Sequence, residues 1–265
     1  MALPNVVTRL AGYRHALWLL TLRDLRQRIR GTLLGPLWLV IEPLFLLAVY
    51  TFVFGVLLQV RFGTGSDTFS FALYLMAGLF PYTAFQGAVQ RSTGILTGNR
   101  DLIQRSVFPP ELLPALPTAV SLVTEAIALV IVVIAVALIK GGVSSTLWLL
   151  PGLMLLRVLL TLGVSWLVAV LAVFIRDLAQ LVGMLLTLMF FATPIVYPRE
   201  LIPQEWRWVQ TLNPFCHLVE AYRDVIIESA WPEPGVAGLA LLSLLLAWVG
   251  FRVFLRLVGR AKDFL

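Results

Sequence analysis

The sequence predicts an all-α integral membrane domain, on three observations. First, the 265 residues are 60% hydrophobic and only 13% charged, where a soluble domain carries about 25% charged residues. Second, six apolar runs approach the roughly 20 residues that cross a bilayer, at 36–58, 69–90, 112–139, 147–175, 178–197 and 236–257. Third, arginine brackets those runs unevenly. Arg9, Arg14, Arg23, Arg26, Arg28, Arg30, Arg91, Arg100, Arg105, Arg176, Arg252, Arg256 and Arg260, with Lys262, fall on one side of the implied membrane, and Arg61, Lys140, Arg199, Arg207 and Arg223 on the other. The positive-inside tendency then places both termini in the cytoplasm. The same pattern explains the net charge of +6 without nucleic acid, because the basic residues flank spans and form no single patch.

Before the first span, residues 13–31 read as an amphipathic helix lying in the interface. Trp18, Leu22, Leu25 and Ile29 form one stripe, and Arg23, Arg26, Gln27 and Arg30 lie off it. Gly31 and Gly35-Pro36 break it and turn the chain into the bilayer. Between the second and third spans, residues 98–108 read as a short charged helix stopped by Pro109-Pro110. Asp101 and Arg105 stand at i, i+4, where they support a helix, and Leu102, Ile103, Val107 and Phe108 supply apolar knobs. Residues 199–234 form the largest outer segment. Two short helices are expected there, one carrying Trp206 and Trp208, the other presenting Leu218, Tyr222 and Val225 on one side with Glu220, Arg223 and Asp224 off it. Such a pair suits a gate at the outer mouth. The whole of 1–265 reads as one membrane domain, and no signal peptide is expected at its start.

Several motifs, in this order, resemble the permease subunit of type-2 ABC exporters, in the polysaccharide group that includes the O-antigen, capsule and teichoic-acid permeases. They are LGPLWLVIEP at 34–43, GLFPYTAF at 78–85, GNRDLIQRSVFPPELLP at 98–114, FIRDLAQL at 174–181, and TPIVYP at 193–198 followed by Asn213-Pro214. The resemblance runs over nearly the whole chain. It implies that 98–108 is a coupling helix, with Asn99, Arg100, Asp101, Leu102, Arg105, Val107 and Phe108 docking in a cytoplasmic ATPase. It also implies a homodimer with two copies of that ATPase and a lipid-linked glycan as substrate. The chain has only two lysines, Lys140 and Lys262, and neither sits in a phosphate loop. ATP and Mg are therefore expected on the partner chain, with no cofactor, metal or catalytic residue in this one. One cysteine, Cys216, and two histidines, His15 and His217, offer neither a disulfide nor a metal framework.

Within the spans, Glu42, Glu125 and Arg157 stand out, because an intramembrane charge is costly unless paired or wetted. Glu125 and Arg157 fall in adjacent antiparallel spans and are expected to pair, with a substrate or gating role as the other reading. Arg28, Arg30 and Gly35 stand where a lipid diphosphate, or any anionic lipid, would enter. Trp38, Glu42, Phe45, Phe52, Tyr82, Phe85, Phe190, Phe191 and Tyr197 are candidates to line a glycan path, since aromatic faces pack on sugar rings; plain lipid or helix packing is the alternative. A different class, an ion-coupled transporter or channel, would rest on Glu42, Glu125 and Arg157.

Overall fold

The computed structural model describes residues 12–57, 68–105, 108–197, 199 and 202–264. Those residues form helices and turns, with no strand among them. In chain order the helices are α1 (Arg14–Ile29), α2 (Trp38–Tyr50), α3 (Thr68–Ser92), α4 (Ile95–Gly98), α5 (Arg100–Arg105), α6 (Ala115–Lys140), α7 (Leu150–Phe174), α8 (Leu178–Ala192), α9 (Arg207–Leu212), α10 (Pro214–Arg223) and α11 (Gly235–Phe264). Four stretches among the described residues are long and apolar enough to cross a membrane: Gly35–Phe54, Pro110–Lys140, Leu147–Phe174 and Gly235–Phe264.

The centre of the bundle is α3, packed on α6, α7 and α10. Ala72, Leu75, Met76, Ala77 and Tyr82 of α3 are sealed from outside. The closest helix pair is α7 with α11. A Cβ at Gly163 would strike the backbone of Leu246, and one at Gly250 would strike the carbonyl of Gly163, so the two backbones meet where neither carries a side chain. Trp166 fills the space beside this contact, edge-on to Phe251 at 5.0 Å, and its indole N–H donates to the Glu111 carbonyl at 3.0 Å.

Local chemistry sets the element ends. Gly31 and Gly35 take φ of +79° and +52°, a region costly for any residue with a Cβ, and this is how the chain turns from α1 into α2. Gly141, at φ +71°, closes α6 in the same way. Thr51–Leu57 continues α2 as a wider π-helical turn; residue 58 lies outside the described residues.

Three expectations need correction. The fifth span does not run as helix to residue 197. Helix α8 ends at Ala192, because Thr193 precedes a proline and is extended (φ −98°, ψ 133°). Its 15 residues reach only about 22 Å at 1.5 Å per residue. Second, 98–108 is not one helix, since Asn99 (φ −119°, ψ 32°) separates α4 from α5 and Phe108 lies beyond the end of α5. Third, the stripe on α1 divides. Leu25 packs on Leu116 and Val120 of α6, while Trp18 is exposed. The neighbouring helix, absent from any helical-wheel argument, takes one part of the stripe and leaves the other outside.

Candidate functional site

At the end of the bundle where α3 stops and α6 begins, α4 and α5 are pinned from beneath. Leu96 and Ile103 are buried in a cluster with Leu113, Trp166, Val170 and Phe254, and Phe108 packs against it. Arg100, Asp101 and Gln104 face outward, and Asn99 and Leu102 are half-buried. The Asn99 side chain donates to the Ile95 carbonyl at 2.9 Å, which ties the two short helices together. Val107 and the side chain of Arg105 lie outside the described residues, and with them the expected Asp101–Arg105 pair. The expected apolar knob at Ile103 instead anchors the segment to its own bundle. Helix α1 is fastened beside it: Arg91, at the end of α3, donates to Asp24 of α1 at 2.6 Å.

In mid-bundle, Arg157 of α7 donates to the carboxylate of Glu125 of α6 and to the Ser121 hydroxyl at 3.0 Å. The Tyr222 hydroxyl of α10 donates to the other oxygen of Glu125 at 3.0 Å. Glu125 and Arg157 are 2% and 0% exposed. Burial of such a pair is costly unless further hydrogen bonds support it. Arg157 Nε has no hydrogen-bond partner among the described residues, while Ser121 and Tyr222 each supply one bond. Their polarity was visible in the sequence, but nothing local pointed either of them at Glu125.

Helix α10 is the larger surprise. Arg223, expected on its polar side, is fully buried. Its guanidinium donates to the carbonyls of Tyr74 at 3.2 Å, Pro194 at 2.8 Å and Ile195 at 2.9 Å, and to Glu220 at 2.8 Å. It also lies 3.7 Å from the centre of the Tyr74 ring. The Pro194 and Ile195 carbonyls are available because the chain leaves the helical ladder at Thr193, whereas the Tyr74 carbonyl lies within α3. Gly78 of α3 admits the approach, since a Cβ there would stand 2.6 Å from Val219 and 3.2 Å from Arg223. Asn213 caps α10 by accepting from the Phe215 amide at 3.0 Å and donates to Thr193 at 2.9 Å. The π-helical turn Asp224–Glu228 follows. Lys140 donates to its Ile227 carbonyl, and Thr146 to its Val225 carbonyl at 3.0 Å. In that turn, burial first and then Glu220, Glu233 and Glu228 push Asp224 up to about 6.

The aromatic candidates fall into two sets. Tyr82, Phe85 and Phe190 belong to a packed cluster around Phe215, with Phe85–Phe215 at 4.4 Å and Tyr82–Phe215 at 5.2 Å, and Tyr82 donates to the Leu186 carbonyl. Trp38, Phe45 and Phe52 on the α2 side, and Phe191 on α8, are exposed. The Tyr197 hydroxyl donates to the Phe191 carbonyl at 2.6 Å. The structure does not gather all of them along one path within a single chain. Arg30 is exposed next to Gly31 and Gly35 at the α1–α2 turn; the Arg28 side chain lies outside the described residues. Glu42, exposed on α2, stands at a cavity of ≈ 260 Å³ between α2, α3 and α6, whose lining includes Glu125.

Comparison with known proteins gives a consistent result. Residues 15–227 match the family described as ABC-2 type transporter. The chain is 30% identical over 260 residues to the O-antigen export system permease protein RfbA of Myxococcus xanthus, covering 94% of this chain and 95% of that one. It is 29% identical over 249 residues to the RfbA of Klebsiella pneumoniae, with 93% of each covered. It is 26% identical over 239 residues to the polysialic acid transport protein KpsM of Escherichia coli, covering 89% and 90%. The matched region holds the α4–α5 segment, the Glu125–Arg157 network and α10, and on that match the chain belongs to the ABC-2 type transporter family.

Proposed function

We propose that this chain is the membrane subunit of an ATP-driven exporter that moves a lipid-linked polysaccharide of O-antigen type outward across the bacterial cytoplasmic membrane. It works as a homodimer with two copies of a separate ATPase, which bind the ATP and Mg. The observation that carries the reading is the near full-length similarity to two O-antigen export permeases. A capsule-type polymer is the second reading, favoured by the similarity to the polysialic acid transport protein.

Six crossings are made by α2 with its flanking turns, α3, α6, α7, α8 and α11, both termini being cytoplasmic. The α4–α5 segment is the coupling element: Arg100 and Asp101 present charge to the ATPase while Leu96 and Ile103 bolt the segment to α7 and α11. A lever transmits displacement only if its base is stiff, and these buried contacts stiffen it. Arg28, Arg30 and Gly35 hold the lipid diphosphate at the entrance. The exposed rings of Trp38, Phe45, Phe52 and Phe191 meet the glycan at the interface between copies. The 199–234 region, anchored by Tyr222 and Arg223, forms the outer gate.

The test is co-purification with the ATPase encoded beside this chain, followed by ATP-dependent export in proteoliposomes. Wild type assembles and exports. Asp101→Arg keeps the chain folded but lowers export by about tenfold or more, the loss expected when a charge contact in an interface is reversed. Failure of any ATPase to co-purify, or full export by Asp101→Arg, sinks the coupling reading.

A further inference from the structure

The cavity between α2, α3 and α6 has apolar walls and polar side chains of one chemical kind. Its polar side chains are Glu42, Thr83, Ser121, Thr124 and Glu125. Thr83 donates its proton to the Phe80 carbonyl at 3.2 Å, Ser121 to Thr118 at 2.8 Å, and Thr124 to Ser121 at 3.0 Å. Each hydroxyl has therefore used its donor within its own helix; Thr83 and Thr124 keep their acceptor lone pairs, and Ser121 keeps one beside the bond it accepts from Arg157. The Glu125 carboxylate is acceptor only, as is that of Glu42, which has no ion-pair or hydrogen-bond partner among the described residues. Apolar walls come from Pro43, Phe80 and Pro117. At the mouth, Glu42, Thr83 and Gly87 are exposed, and a Cβ on Gly87 would meet nothing within 4 Å.

We propose that this cavity is a binding site for one hydroxyl-rich unit, a pyranose ring or a glycerol-type headgroup, with Glu42 as its charged acceptor at the mouth. Acceptors without donors select a ligand that brings several O–H groups, and the apolar walls suit the C–H face of a sugar ring. A bare divalent cation is a poor fit. It asks for about six or more converging oxygens, whereas Arg157 already neutralises Glu125 and the remaining oxygens sit on three different helices. The site is framed by α2, α3 and α6. It rests on the exporter reading only for the source of its sugar, the two sources being the exported glycan and a membrane headgroup.

Saturation-transfer NMR on the full chain in phosphatidylethanolamine nanodiscs tests this, with mannose, galactose, N-acetylglucosamine and glycerol as probes. Saturable binding of at least one probe is expected. It should weaken about tenfold in Glu42→Ala, as for loss of a hydrogen bond to a charged group, and recover in part in Glu42→Gln, which keeps an acceptor carbonyl without the charge. Gly87→Leu, which fills the mouth, should abolish it, and Thr83→Phe does the same work should Gly87→Leu not fold. Adding phosphatidylglycerol separates the sources. Competition with the probe identifies the lipid headgroup as occupant, and its absence identifies the glycan. No saturable signal from any probe, or a signal that Gly87→Leu and Thr83→Phe leave intact, overturns the proposal. ATPase co-purification and export measured on the same variants tell its failure from a failure of the exporter reading.

Discussion

The α4–α5 segment and the α9–α10 segment are both short helical pieces between longer helices, both carry arginine, and both are bounded by proline. Their charges have opposite fates. Arg100 and Asp101 lie outside, with apolar Leu96 and Ile103 inside. In α10 the apolar Leu218, Tyr222 and Val225 are inside, and so is Arg223, held by three carbonyls and one carboxylate. The difference comes from what each segment packs against. α5 is seated through Ile103 on apolar side chains, Leu113, Trp166, Val170 and Phe254 among them. α10 rests on the end of α8, where the chain turns extended at Thr193 and leaves the Pro194 and Ile195 carbonyls outside the helical ladder. A buried arginine is affordable only where such acceptors already wait for it.

The largest expected effect separates these two arginines. Arg223→Met removes the donor for the buried Pro194 and Ile195 carbonyls and leaves Glu220 without its ion pair, and should cost about 3–5 kcal/mol, the range for breaking a buried charged network. Arg100→Ala should stay within about 0.5 kcal/mol, as surface substitutions do. Thermal unfolding in detergent followed by tryptophan fluorescence reads both, and equal losses would erase the contrast. A smaller effect sharpens it. Tyr222→Phe removes only the hydroxyl on Glu125, and should cost about 0.5–1.5 kcal/mol in the same assay while leaving ATPase co-purification unchanged, since the network lies away from α5.

The smallest effect depends on pH. Because the folded Asp224 carboxyl is raised to about 6 from the ordinary 3.8, the folded state binds more protons than the unfolded state between those values. Stability attributable to this group therefore falls as pH rises through that window and is lowest above it. Asp224→Asn should flatten the profile between pH 4 and about 6.5 and slightly stabilise the protein at neutral pH. An unchanged profile in the variant would show that Asp224 does not carry the dependence.

Much of the helical layout was legible because its causes are local. Long apolar runs, Gly31 and Gly35 at the first turn, and the proline stops mark ends that any neighbour would have to accept. The reading failed where a local cause was overlooked or a distant one prevailed. Pro194 ends α8 at Ala192, as the rule for the residue before proline requires, but the apolar run carried the expectation on to residue 197. The division of the α1 stripe had no local signal, since it follows from Leu116 and Val120 lying under Leu25. For the candidate site, Glu125 and Arg157 drew notice by their cost in a membrane, whereas Arg223 did not, because a short polar helix between spans reads as outside.

By itself the sequence determined the membrane class, the order of the helices, the absence of a phosphate loop and the motifs that resemble exporter permeases, since composition, periodicity and spacing are properties of the chain alone. Only the tertiary structure decided which charges are buried, that Tyr222 and Arg223 bind α10 into the bundle from two sides, and that Glu42 and Glu125 line one cavity. Those facts depend on which carbonyls and carboxylates other helices place within about 3 Å, the reach of a hydrogen bond, and residues up to 149 positions apart in sequence meet there only when the helices pack.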